Sequence, residues 1–79
     1  MAYNRSVETT FTLVLEPIED GWWLASIPEV PGAISQGETQ EVAKAMVLDA
    51  LNELLVARRD RALREKSDGA QVETLRFVA

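Results

Sequence analysis

The chain reads as a two-layer α+β domain of element order β-β-β-α-β, in which a mainly antiparallel sheet carries one long helix on one face. Three observations predict it. Apolar side chains alternate mainly with polar ones from Val7 to Glu16, the period of a strand with one buried face, and Trp22 to Ile27 reads as a second strand. An Asp20-Gly21 pair separates those runs, and this dipeptide favours hairpin reversal. From Ala43 to Ala57 the apolar spacing changes to three and four, the mark of an amphipathic helix. At 79 residues the chain is expected to form one domain over residues 1–79.

In the first strand Val7, Phe11, Leu13 and Leu15 fall among Glu8, Thr10 and Thr12. Pro17 is expected to stop the ladder, and Pro17-Ile18-Glu19-Asp20-Gly21 to supply the turn. In the second strand Trp23, Ala25 and Ile27 share one face, and Trp22, Leu24 and Ser26 the other. The two prolines of Pro28-Glu29-Val30-Pro31-Gly32 lack ladder donors, which excludes a central strand there. Pro31-Gly32 suits the central positions of a type II turn. A short third strand, Ala33 to Gln36, is expected to end at Gly37.

Thr39 then offers an N-cap hydroxyl, and Glu41 a first-turn acid that opposes the helix dipole. Ala43, Met46, Val47, Ala50, Leu51, Leu54 and Ala57 form a stripe wide enough to cover a sheet. Past Ala57 the stripe runs into Arg58 and Arg61, although helical composition continues to a stop at Ser67-Asp68-Gly69. A helix unbroken to residue 66 would be roughly 40 Å long. A seven-residue strand spans only about 23 Å. The last two turns must then overhang the sheet or pack on another molecule. Val72 to Val78, with Leu75 and Phe77 on one face, reads as a fourth strand, and a helical crossover lets it lie parallel to the first.

Composition narrows the function. There is no cysteine and no histidine, which removes disulfides, thiolate nucleophiles, the commonest general base and the commonest metal ligand. No cofactor is expected. The start of the chain does not resemble a signal peptide, and no stretch approaches the roughly 20 apolar residues of a membrane span. A cytoplasmic location is the expectation. The net charge of −5 is uneven: residues 1–57 hold Arg5 and Lys44 against nine acids, whereas residues 58–79 hold six cations against four acids. An acidic body repels nucleic acid and favours a basic partner. A domain this small also buries only about 60–65% of its unfolded surface, a shortfall that partner surfaces commonly supplement.

Gly21-Trp22-Trp23-Leu24-Ala25-Ser26-Ile27-Pro28-Glu29-Val30-Pro31-Gly32, then Gln36-Gly37-Glu38-Thr39 and Glu41-Val42-Ala43, resembles the HicB family over about residues 9–57. The shared pattern is an aromatic strand after an acidic-glycine turn, a Pro-x-x-Pro-Gly loop, and a Gly-acid-Thr helix start. Within it Gly21, Trp23, Pro28, Pro31, Gly32, Gly37, Thr39 and Ala43 are the signature positions, read here as structural. Glu38 stands where aspartate is commoner, Val42 where glutamate is frequent, and Trp22 where glycine is common. The resemblance implies a truncated RNase H-like fold. It also implies an antitoxin that sequesters a small, basic, RNA-cleaving toxin, HicA. Many family members carry a C-terminal DNA-binding domain that represses their own operon; this chain is expected to lack it.

Two other classes compete with a non-enzymatic binding domain. A metal-dependent RNase H-like nuclease needs converging carboxylates, and the only tight acidic group, Glu16, Glu19 and Asp20, sits in a predicted turn. A nucleic-acid-binding module would use the basic helix end, Arg58 to Lys66, which has interleaved acids and no aromatic for stacking. No metal site is expected, and nucleic acid is the weaker alternative. Adjacent residues of a strand face opposite sides, so Trp22 and Trp23 cannot both lie under one helix. With Trp23 inward, Trp22, Leu24 and Val14 face outward and are the expected contacts to a partner or to further copies in a dimer or tetramer.

Overall fold

The computed structural model describes residues 10–75. Three antiparallel strands, β1 (Val14–Pro17), β2 (Trp23–Ser26) and β3 (Ile34–Gly37), lie in that order in one sheet, and the helix α1 (Gln40–Glu65) crosses one face. This is the expected two-layer α+β arrangement.

Asp20 and Gly21 make the first reversal. They hold positive φ of 61° and 77° in the short 3₁₀ turn Glu19–Gly21, as a type I′ reversal requires. The turn closes when Trp22 N–H donates to the Glu19 carbonyl at 3.2 Å and Ile18 N–H to the Trp22 carbonyl at 2.8 Å. Pro17 ends the ladder one residue later than expected: it is the last residue of β1, opposite Trp23, and a missing donor is tolerated there because β1 is an edge strand among the described residues.

The second reversal consists of two consecutive β-turns. Val30 N–H donates to the Ile27 carbonyl and Ala33 N–H to the Val30 carbonyl, each at 3.0 Å. Pro28-Glu29 and Pro31-Gly32 are therefore the two central pairs, each led by a proline whose fixed φ suits that position. Gly32 has φ 93°, the type II geometry expected of it. This loop shortens β1. Its expected start at Val7 lies outside the described residues, and residues 10–13 join no ladder. The chain opposite them has already left the sheet to make the turns. Thr12 is held by a side chain instead: its N–H donates to Glu29 Oε1 at 2.9 Å and Oε2 at 3.0 Å, and its hydroxyl to Oε2 at 2.6 Å.

Register sorts the side chains. Leu15, Ala25 and Ser35 form one cross-strand row, and Pro17, Trp23 and Gly37 the next; both rows lie on the helix side, where Ala25 is fully buried and Leu15 and Trp23 pack on the core. The core is small: Ala25, Ile27, Val30, Ala33, Ala43, Val47 and Leu51, flanked by Leu13, Leu15, Trp23 and Leu54. The helix begins where Thr39 Oγ1 accepts from Val42 N–H at 3.1 Å, an N-cap bond. Gly37 has a packing reason too. A Cβ there would lie 2.5 Å from Ala43 N and 2.7 Å from Val42 Cγ1, so only glycine lets β3 pass this close under the first turn.

The apolar stripe is narrower than expected. Ala43, Val47 and Leu51 are buried and Ala50 and Leu54 half-buried, but Met46 is 47% exposed and Ala57 is exposed. A three-stranded sheet fills only a limited arc of the helix surface, and Met46 lies beyond it. The helix is unbroken to Glu65. At 26 residues it is about 39 Å long, three times the roughly 13 Å of a four-residue strand. The overhang is therefore real, and every residue from Leu55 to Glu65 is exposed. The expected fourth strand is absent over its described part, where Val72–Leu75 form no ladder; residues 76–78 lie outside the described residues.

Candidate binding surface

The sheet face away from α1 is built from the even positions of the strands. Val14, Ser26 and Ile34 form one row, and Glu16, Leu24 and Gln36 the next. Trp22 stands beyond them at the hairpin end. It lines a shallow concavity with Ile18, Glu19, Asp20 and Gln36, while Trp23 packs on the core from the other side. Val14, Trp22 and Leu24 are half-buried, and Ile34 is 54% exposed. Among the described residues no element covers this face. Its centre is apolar and one end is rimmed by the exposed carboxylates of Glu16, Glu19 and Asp20.

The surface forms because the Asp20-Gly21 reversal is tight. Trp22 is placed directly opposite Ile18, and an aromatic ring beside a branched aliphatic makes an apolar patch at the edge of the turn. The signature residues lie elsewhere. Gly21 and Gly32 supply positive φ, Pro28 and Pro31 lead the two loop turns, Gly37 and Ala43 let strand and helix approach, Thr39 caps, and Trp23 packs on the core. Each has a structural role visible in the backbone or the core. The sequence reading missed Ile18, Ile34 and Gln36 as neighbours of Trp22. Parity along the third strand would have located Ile34 and Gln36, whereas Ile18 is hidden inside a turn that has no period.

The Pro28–Gly32 loop carries a shifted ionisation. The Thr12 hydroxyl and then its N–H hold the Glu29 carboxyl below its ordinary value, because both bonds favour the charged form. That clamp ties the start of β1 to the loop. Across the same loop, Arg58 Nη2 donates to the Pro31 carbonyl at 3.2 Å. In the overhang Arg61 donates to Glu65 at 3.1 Å and Arg59 approaches Asp60 at 3.8 Å. Three of the five cations nominated for nucleic acid are thus engaged within the chain. Glu16, Glu19 and Asp20 do not converge as ligands, and among the described residues no group of three acidic, His or Cys residues is placed to hold a metal ion. No described helix is long and apolar enough to cross a membrane.

Two curated proteins resemble the chain. A protein named Antitoxin HicB 1, from Photorhabdus laumondii, is 46% identical over 41 residues, which is 52% of this chain and 26% of that protein. The chain thus spans about a quarter of that antitoxin's length. A UPF0150 protein of Synechocystis is 33% identical over 69 residues, 87% of this chain and 96% of that relative. No family model matches the chain, and no solved structure matches it. With nearly the whole of the Synechocystis relative covered at this identity, the chain belongs to the HicB-like UPF0150 family.

Proposed function

We propose that the chain is a non-enzymatic, cytoplasmic antitoxin module with a truncated RNase H-like domain, which binds a small basic HicA-type RNA-cleaving toxin on its open sheet face. The observation that carries this reading is the uncovered row of Val14, Leu24 and Trp22 beside the Glu16, Glu19 and Asp20 carboxylates. An apolar centre holds a complex by desolvation, and the acidic rim speeds encounter with a cationic partner. The half-length match to a protein named as an antitoxin supports the same class.

The test is a titration of a purified HicA-type toxin with the wild-type chain and with Trp22→Ala. The wild type is expected to bind and to suppress RNA cleavage. Trp22→Ala is expected to raise Kd by about 30-fold, the scale of an aromatic anchor. Unchanged Kd in a variant with intact helical circular dichroism removes the open face from the proposal. Failure of the wild type to bind removes the antitoxin reading.

A further inference from the structure

The concavity at the hairpin end of the open face has a volume of about 520 Å³, and its walls differ in chemistry. Trp22 and Ile18 supply an aromatic and an aliphatic surface, Gln36 an amide from β3, and Glu19 and Asp20 two exposed carboxylates from the turn. Among the described residues neither carboxylate has an ion-pair partner. The described cations, Lys44, Arg58, Arg59, Arg61, Arg64 and Lys66, belong to α1 or its C-cap, on the other side of the sheet. Those from Arg58 onward lie beyond the Pro31 loop, at the far end of the sheet from the Asp20-Gly21 turn. The concavity therefore pairs an apolar floor with negative charge that no described part of the chain neutralises.

We propose that this concavity seats one arginine side chain of a basic protein partner, with its guanidinium against Trp22 and paired with Glu19 and Asp20. The proposal rests on the reading of the open face as a protein-binding surface, and names what one end of that face recognises. An arginine stem is apolar and can cover Ile18 and the Trp22 ring while its head stays polar. The head is planar and weakly hydrated, stacks on aromatic faces, and presents a fork of donors that suits carboxylates. Lysine offers a compact, strongly hydrated point charge and stacks less well. An aliphatic occupant would desolvate two carboxylates without giving them a donor, which costs free energy.

The turn places these groups before any partner arrives. Ile18 N–H donates to the Trp22 carbonyl and Trp22 N–H to the Glu19 carbonyl, so Ile18, Glu19, Asp20 and Trp22 belong to one hydrogen-bonded reversal. Gln36 comes from β3, two strands from β1, and is fixed by its ladder position opposite Leu24. A site whose backbone is set in advance loses little freedom on binding. Glu19 and Asp20 then act by direct contact as well as by speeding encounter, whereas Glu16, outside the concavity lining, remains a rim charge.

Nuclear magnetic resonance of the full chain tests this with capped glycine-flanked tripeptides whose middle residue is arginine, lysine, citrulline or leucine. The reporter is the indole N–H signal of Trp22, assigned by its loss in Trp22→Phe. Trp23 packs on the core, so its indole signal serves as the internal control. The arginine peptide is expected to shift the Trp22 signal saturably and more tightly than lysine; citrulline and leucine are expected to give no saturable shift. Glu19→Gln combined with Asp20→Asn is expected to raise the arginine Kd about fivefold, the scale of exposed charge contacts. Asparagine tolerates the positive φ of position 20, so the turn is kept. Asp49→Asn combined with Glu53→Gln, both exposed on α1, changes the net charge equally and is expected to leave Kd unchanged. An unmoved Trp22 signal, an equal response to lysine, citrulline or leucine, or an equal loss in the α1 variant overturns the proposal. No arm uses a toxin, so arginine selectivity in a chain that binds no toxin removes the antitoxin reading and leaves the arginine seat standing.

Discussion

Residues 40–54 and 55–65 of α1 share one unbroken backbone ladder but are held by different forces. The first half is capped by Thr39, sits over Gly37 and buries Ala43, Val47 and Leu51. The second half buries nothing; beyond the Arg58 bond to Pro31 it carries only the exposed Arg61–Glu65 pair and the Arg59–Asp60 contact. Its residues are good helix formers, so it extends a helix that packing has already nucleated. Propensity sets how far a helix runs, and burial sets which part of it stabilises the fold.

Substitutions in the two halves should separate along that line. Gly37→Ala is expected to have the largest effect. Its Cβ would meet backbone at 2.5 Å, and the helix start would have to shift at a cost of about 3 kcal/mol, the upper range for overpacking. Urea unfolding measures this; a loss under 1 kcal/mol would show that the corner yields easily. Thr39→Ala removes the bond to Val42 N–H and should cost about 1 kcal/mol in the same experiment. A cost near zero would mean that water caps the first turn equally well. Leu63→Ala, deep in the overhang and 42% exposed, should change stability by less than about 0.5 kcal/mol. If it costs as much as a core truncation, the second half is packed in solution and the contrast between the halves is wrong.

Local chemistry was the legible part of this molecule. The Asp20-Gly21 reversal, the Pro31-Gly32 type II turn, the Thr39 cap and the inward Trp23 follow from φ preferences, side-chain acceptors and a period of two, all of which act over a few residues. Less legible was whatever depends on what lies opposite. Pro17 is tolerated in the ladder only because β1 is an edge. Met46 matches the helical period but falls outside the arc that three strands can cover. Thr12 and Glu29 are 17 residues apart and meet only through the loop fold. For the candidate surface, parity alone separated Trp22 from Trp23, while the neighbours Ile18 and Gln36 needed the register.

By itself the sequence determined the fold class, the order of the first four elements and the family pattern, because each rests on residue type at fixed short spacing. Only the tertiary structure decided the width of the covered stripe and the close approach at Gly37. These depend on the distance and tilt between layers, which come from the summed packing of all the elements and are encoded at no single position.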